Sequence, residues 1–163
     1  MLKYCLNKWN SNKDKLKAKI RKDKKIYECG YKYLVKLVVD IILNEGKGEG
    51  DYHWDSDEIT EIDNGDYQGT LLFLIPMEVY QPSEYEYLMT YVGYGSCSGC
   101  DTLQHIQSLY WPGDDNEKLK EKALKEYMSL CKDILTNMIK PYNTGWRQDD
   151  RFEVVTMEAA DEN

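Results

Sequence analysis

The chain has 163 residues, 42% of them hydrophobic, which is enough for one domain with a buried core. It contains no run of about 18 or more apolar residues, which excludes a predicted membrane-spanning helix. Residues 1–8 lack the apolar centre of a signal peptide, so we expect a cytoplasmic protein whose five cysteines are reduced. Tyrosine is common, with 14 residues against 2 phenylalanines, and tyrosines suit a half-buried, adhesive surface.

The net charge of −8 is divided unevenly along the chain. Residues 1–25 contain ten lysines and arginines and two aspartates, a net charge of +8, whereas residues 26–163 carry −16. An acidic body repels nucleic acid and attracts basic protein surfaces, including surfaces that normally hold nucleic acid. The basic residues 13–25 could bind phosphates, but they are not interleaved with aromatic side chains. We therefore favour their contact with the acidic body over contact with nucleic acid.

The N-terminal third is predicted to be helical. Residues 3–24 indicate a basic helix, although poor periodicity at 10–12 leaves two shorter helices open. Residues 31–45 place apolar side chains at spacings of three and four, which predicts a second helix. The β-branched residues in that stretch leave a strand open for part of it. A loop rich in glycine and acidic residues follows over 44–57.

The central third predicts a three-stranded antiparallel meander. Asn64-Gly65 lies between two strand-like runs, which is the strongest short-range signal of a β-hairpin. Pro76 ends the second strand or places its end at an edge. Residues 85–94 alternate, with tyrosines and Met89 on one face and Leu88, Thr90 and Val92 on the other.

The C-terminal third predicts a short helix over 102–110 and a long helix over about 116–140, capped by Asp114 or Asp115 and ended by Pro141. Residues 152–157 indicate an edge strand, and 158–163 a flexible acidic tail. The expected fold is a single α+β domain over residues 1–163, with a small antiparallel meander and helices packed on one face. Residues 1–25 form its basic helical leader. The apolar stripe of the long helix comprises Leu119, Ala123, Tyr127, Leu130, Cys131, Ile134 and Met138.

Cys97 and Cys100 form a C-x-x-C motif between a strand and a helix, and three interpretations compete. Zinc could be held by these two thiols with His105 and Cys131 completing four ligands, but the motif lacks a second closely spaced ligand pair. Thiol redox chemistry suits a C-x-x-C at a helix start, although the preceding strands are antiparallel and do not form a βαβ unit. A structural turn, made from the flanking glycines and small thiols, is the interpretation we favour.

Other candidate sites are weaker. His53 lies among several acidic residues, which is more typical of a solvated acidic loop than of a hydrolase metal site. The sequence contains no P-loop, zinc-protease, nucleophile-elbow or EF-hand pattern. We therefore predict no cofactor, with zinc as the alternative, and lean towards a protein that is not an enzyme.

A resemblance covers residues 65–76, 80–83 and 87–104. The Gly-Ser-Cys-Ser-Gly-Cys-Asp-Thr-Leu segment at 95–103, following an aromatic strand, resembles small uncharacterised proteins encoded by tailed bacteriophages and prophages. The resemblance implies a genomic setting, and with it the cytoplasm of a bacterial host. It implies no catalytic residues.

These observations together predict a non-enzymatic phage accessory protein that binds a host or phage protein. One expected role is inhibition of a host defence or nucleic-acid enzyme, because an acidic surface competes for basic nucleic-acid-binding sites. The alternative is a small zinc-binding or thiol-redox protein that uses the C-x-x-C loop.

Overall fold

The computed structural model describes residues 1–45 and 52–140. It confirms the α+β class, since the described residues form helices and one three-stranded antiparallel sheet. The helices are α1, Leu2–Lys22; a short 3-10 turn, Lys24–Tyr27; α2, Tyr31–Leu37, continued by a π-helical turn, Val38–Leu43; α3, Thr102–Leu109; and α4, Glu117–Thr136. The strands are β1, Thr60–Asp63; β2, Gly69–Pro76; and β3, Tyr87–Tyr94.

The basic leader is one continuous helix that forms part of the core. Its buried residues recur at spacings of three and four and include Trp9, Leu16 and Ile20. The weak periodicity around residues 10–12 comes from Asn12, a polar member of the buried face whose amide donates to the carbonyl of Ile42 at 3.1 Å. α1 packs against the π-helical turn and α4. The two-helix alternative is therefore wrong, and the leader is not a separate arm.

The second predicted helix is also present, and no part of residues 31–43 is a strand. Its last turn widens to π geometry, in which the Asn44 N–H donates to the Val39 carbonyl, five residues earlier, at 2.9 Å. Val38, Val39, Ile42 and Leu43 are all buried. The β-branched residues here had kept a strand possible. They are accommodated in a helix because this turn is surrounded by the core, where side-chain packing outweighs low helix propensity.

The sheet has the predicted meander order β1-β2-β3, with both pairs antiparallel. The β1–β2 hairpin is confirmed, although its connection spans residues 64–68 and is longer than a two-residue Asn-Gly turn. Asn64 stabilises the turn by accepting the Thr70 N–H at 2.8 Å. Gly65 is required there, because a Cβ atom would lie 2.2 Å from the Gln68 carbonyl oxygen.

One side of the sheet faces the helices, and we call it the inner side. Phe73 and Ile75 in β2 and Leu88 and Thr90 in β3 are buried on this side, and α4 packs against β3. The Thr90 hydroxyl donates to the carbonyl of Ile134 in α4 at 2.6 Å. This bond ties the strand to the last turn of the helix, where carbonyls begin to lack helical partners.

The long C-terminal helix differs from the prediction at its ends. Its N-cap is Asn116, whose side chain accepts the Leu119 N–H at 3.2 Å, and neither Asp114 nor Asp115 occupies that position. The helix ends at Thr136, and Ile139 then pairs with Met89 of β3. Every predicted stripe residue is buried except Leu119, which still packs against the core.

Pro141, the predicted edge strand at 152–157 and the acidic tail at 158–163 lie outside the described residues. Within residues 1–45 and 52–140, no helix is long and apolar enough to cross a membrane.

Candidate functional site

The C-x-x-C loop lies at the junction of β3 and α3, and the junction is held by a buried carboxylate. Asp101 is the N-cap of α3 and accepts the N–H groups of Gln104 at 2.8 Å and Gly95 at 3.0 Å. Its carboxylate therefore joins the end of the strand to the start of the helix. Gly95 allows the close approach, since a Cβ atom there would lie 2.5 Å from the Cys100 carbonyl oxygen.

The sequence analysis predicted the helix over 102–110 but did not identify Asp101 as its N-cap. A signal was available, because Asp101 followed by Gln104 three residues later resembles the N-cap and N3 positions of a capping box. Gln104 also donates its side-chain amide to the Gly95 carbonyl at 3.2 Å. The three residues form one small polar unit that sets the shape of the loop.

Cys97 and Cys100 are both exposed, both free, and in contact. Their Sγ atoms lie 2.6 Å apart, and the Cys97 N–H donates to the Cys100 Sγ at 2.9 Å. The hydrogen bond from the Cys97 side chain lowers the pKa of the Cys100 thiol. This arrangement favours a thiolate at Cys100, which is the reactive form of cysteine.

The remaining cysteines have a different environment. Cys5 and Cys131 are buried, and Cys29 is half-buried with its thiol donating to the Ile26 carbonyl at 3.4 Å. Burial raises the pKa of each of these three thiols to about 12. They behave as small apolar side chains of the core.

The structure brings together only part of the predicted zinc set. Cys97 and Cys100 are adjacent, whereas Cys131 is fully buried in the stripe of α4. The Nε2 atom of His105 lies 3.6 Å from the carboxylate of Glu126. Across the described part of the chain, no group of three or more His, Cys, Asp or Glu side chains is arranged to hold a metal ion. Zinc binding by the four residues stays a prediction.

The second candidate region is the side of the sheet that faces away from the helices. Register places Ile62, Leu72 and Tyr91 in one row across the three strands. Leu74, Met89 and Ile139 form a second row through the bridge beyond β3. We call these six residues the outer apolar face. Ile62, Tyr91 and Ile139 are exposed and the other three are half-buried, and none belongs to the core cluster.

Within the segment that contains the three strands, the charged side chains are all acidic, and Lys140 beside Ile139 lies over the Tyr52 ring. Residues 52–94 contain nine aspartates and glutamates and no lysine or arginine. Acidic residues lie in the hairpin turn at one end of the strands and in the β2–β3 connection at the other. Two strongly exposed tyrosines, Tyr67 at 82% and Tyr80 at 92%, occupy the same two ends. The outer apolar face is therefore framed by negative charge and aromatic side chains.

Some of the acidic residues near the sheet have partners in the chain. The ammonium group of Lys36 contacts the carboxylate of Asp57 at 2.5 Å, and this contact raises the pKa of the lysine. His53, the candidate in the acidic loop, lies 2.9 Å from Glu78 through Nε2. Neither arrangement gathers the set of ligands that a hydrolase metal site needs.

The basic leader contacts the body of the same chain at two points. Lys15 lies 2.8 Å from Glu45, and Arg21 lies 2.6 Å from Glu121 in α4. Both pairs are exposed, so each contributes at most about 1 kcal/mol. They show that part of the positive charge of α1 is directed at the acidic body.

No family model, curated protein or solved structure matches the chain. The resemblance to phage-encoded proteins therefore stays a prediction, and the functional argument is based on the geometry of the loop and of the outer apolar face.

Proposed function

We propose that this protein acts by binding another protein through the outer apolar face, and that the bound surface is basic. The observation that supports this most directly is the combination of the six apolar side chains with a surrounding stretch, residues 52–94, that has no lysine or arginine. An apolar centre with a charged rim is the usual composition of a specific protein interface.

The apolar centre supplies affinity. Strands with apolar residues on both sides are typical of sheets covered on both sides, whereas a sheet with one solvated side normally alternates apolar with polar residues. In β2, Leu72 and Leu74 alternate with Phe73 and Ile75, so both sides are apolar. Covering the outer apolar face removes this surface from water, at about 25 cal/mol per Å² of apolar area. Tyr91 is well placed to be an anchor, since tyrosine is enriched among the residues that dominate binding energy.

The charged rim selects the partner. A second copy of this chain would bring two acidic rims together, and nucleic acid or an anionic membrane would bring phosphates against them, so like-charge repulsion disfavours all three. A protein surface with lysines and arginines around an apolar or aromatic centre is complementary. Surfaces that hold nucleic acid have this composition.

The proposed biological setting is that of a phage accessory protein in the cytoplasm of a bacterial host. Occupying the basic surface of a defence or nucleic-acid enzyme would inhibit that enzyme without any catalysis by this chain. Neighbouring genes in phage replication, packaging or anti-defence would each indicate a different target, and an unrelated chromosomal setting would contradict the phage assignment.

Site-specific photo-crosslinking on the full chain tests the binding face. A photoreactive phenylalanine analogue replaces Tyr91 in one variant and Lys122, on the exposed surface of α4, in a matched control. Both variants are irradiated in bacterial lysate at low and at moderate salt. We expect the Tyr91 variant to crosslink to a protein whose contacted peptide is rich in lysine or arginine, and the Lys122 variant not to do so.

The captured protein is then purified for a binding measurement. The double variant Asp66→Lys with Glu84→Lys should weaken binding by at least about tenfold at low salt, because these exposed carboxylates lie in the turns at the two ends of the strands. Asp115→Lys, the same charge change between α3 and α4, should leave binding unchanged. Crosslinks from Tyr91 to a second copy, or to residues 141–163 of the same chain, would identify a different occupant and overturn the proposal.

A further inference from the structure

We infer that Cys97 and Cys100 form a reversible dithiol–disulfide pair that undergoes thiol–disulfide exchange with small disulfides of the oxidised-glutathione class. The inference depends on the loop alone and stands whether or not the outer apolar face binds a protein. Its basis is that the two thiols are free, exposed and in mutual contact, at 2.6 Å between their Sγ atoms. A disulfide between them would require little movement of the backbone.

The loop is already shaped to bring the two sulfur atoms together. Both the Cys100 N–H and the Asp101 N–H donate to the Cys97 carbonyl, at 3.0 Å and 2.8 Å, and this closes the turn between the cysteines. Asp101 fixes the two ends of the loop through Gly95 and Gln104. The buried carboxylate therefore supports a geometry in which the thiols face each other without a metal ion.

Contacts inside the loop distinguish the two sulfur atoms. The Cys100 Sγ accepts the Cys97 N–H, and the Cys97 thiol can donate to the same sulfur atom. Both bonds stabilise negative charge at Cys100, and the protonated Cys100 thiol has one opposing contact, a donation to the Cys97 carbonyl at 3.2 Å. Exposure at the loop surface gives an external disulfide access to it. Cys100 is therefore the attacking sulfur atom, and Cys97 is the resolving one.

The exchange takes place in two balanced steps. The Cys100 thiolate attacks one sulfur atom of the small disulfide, so that a mixed disulfide forms at Cys100 and one thiolate leaves. Cys97 loses its proton to solvent and attacks the Cys100 sulfur, which forms the intramolecular disulfide and releases the second thiolate. The protein dithiol loses two electrons and the small disulfide gains them. An excess of the reduced small thiol reverses both steps.

The rest of the chain provides internal controls. Cys5 and Cys131 are buried and Cys29 is half-buried, and burial raises the pKa of all three thiols to about 12, so little thiolate is present at neutral pH. With maleimide or iodoacetamide on the native protein, we expect Cys97 and Cys100 to be alkylated at least about 100-fold faster than these three.

A redox titration of the full chain tests the inference. Reduced, chelator-treated protein is equilibrated with mixtures of reduced and oxidised glutathione, then denatured and alkylated with N-ethylmaleimide. We expect intact mass to change from five labels to three, with the oxidised fraction following the ratio of oxidised glutathione to the square of reduced glutathione. Peptide mapping should locate the disulfide at Cys97 and Cys100. Retention of five labels in oxidised glutathione alone would overturn the inference.

Three variants make the assignment specific. Cys97→Ser should accumulate one glutathione adduct at Cys100, because the resolving thiol is absent. Cys29→Ser should undergo the same transition as wild type with one label fewer. Cys100→Ser should form far less adduct than Cys97→Ser under the same conditions, and equal adduct formation would contradict the assignment of Cys100 as the attacking sulfur atom.

A wild-type protein that stops at a glutathione adduct, or that retains one equivalent of zinc against a strong chelator, would overturn the inference and assign the loop to a different role.

Discussion

The two sides of the sheet have similar apolar side chains, but the helices bury only the inner side. Phe73 and Leu72 are consecutive residues of β2, and both are apolar. Phe73 is fully buried under the helices, whereas Leu72 is half-buried in a row with Ile62 and Tyr91 on the outer apolar face. The pleat sends alternate side chains to opposite sides, but only the helices decide which side becomes the core. An apolar face that no described element covers adds little to folding, and the proposed function uses it for binding.

Replacing Phe73 tests the inner side and has the largest expected effect. Phe73→Ala should lower the free energy of unfolding by about 3–5 kcal/mol, because it removes a fully buried ring and leaves a cavity. Leu72→Ala is the matched change on the outer side and should cost less than about 1.5 kcal/mol, since the leucine is already partly in water. Urea denaturation of both variants measures the difference. Equal losses would show that the outer apolar face is covered in the folded protein.

Replacing Asp101 tests the junction between the sheet and α3. Asp101→Ala should lower the free energy of unfolding by about 2–3 kcal/mol, since it leaves the N–H groups of Gly95 and Gln104 without their shared acceptor. Asp101→Asn keeps one acceptor oxygen and should recover part of the loss. Thermal denaturation distinguishes the two variants. If the alanine and asparagine variants lose the same stability, the negative charge of Asp101 stabilises the junction and the geometry of its two hydrogen bonds does not.

Removing the Thr90 hydroxyl tests how the inner side is attached to α4. Thr90→Val keeps the shape of the side chain but removes the donor to the Ile134 carbonyl, which should cost about 1–2 kcal/mol. The neighbouring change on the outer side, Tyr91→Phe, should be close to neutral in stability. Denaturant titration of both variants is sufficient. A neutral Thr90→Val would mean that the Ile134 carbonyl has another partner.

The smallest expected effect is at the end of the sheet that carries the β1–β2 hairpin turn. There the Tyr94 hydroxyl donates to the carboxylate of Asp63 at 2.7 Å, which lowers the pKa of Asp63. A depressed carboxyl pKa stabilises the folded protein above the unfolded value of about 3.9, and this contribution is lost as pH falls through the folded value. Tyr94→Phe should therefore be slightly less stable than wild type at pH 6.

The difference between Tyr94→Phe and wild type should shrink as the pH falls through the lowered pKa of Asp63 in the folded wild type, because the carboxylate then becomes protonated in that protein as well. Urea titrations of the two proteins at pH 6 and at about pH 2 measure it. A difference of the same size at both pH values would show that the tyrosine hydroxyl stabilises the fold through a group other than the Asp63 carboxylate.

The elements with a clear local pattern were predicted well. The Asn64-Gly65 hairpin, the alternation of β3 and the stripe of α4 each depend on residues close together in the chain, where backbone geometry and side-chain period are sufficient. One difference is at a position where the pattern is interrupted by a distant contact. Asn12 weakens the period of α1 because its partner, the Ile42 carbonyl, lies thirty residues away.

The candidate site shows the same division. The sequence identified Cys97 and Cys100 as a pair and grouped Cys131 with them by residue type, although Cys131 also lies on the stripe of a long helix. In the structure that helix places Cys131 in the core, away from solvent. Asp101 and Gln104 offered a local N-cap signal, but the second bond of Asp101, to the Gly95 N–H, closes a loop whose shape local propensity does not define.

The sequence by itself determined the α+β class, the meander order, the acidic sheet and the paired thiols, because these follow from composition, periodicity and turn residues along short stretches of chain. Only the tertiary structure decided which side of the sheet is buried, that the basic leader is a core helix, and that two of the five thiols are exposed and in contact. The physical reason is that burial is a property of pairs of elements. A strand or helix shows in its own residues that it has an apolar side, but whether another element covers that side depends on how the whole chain packs.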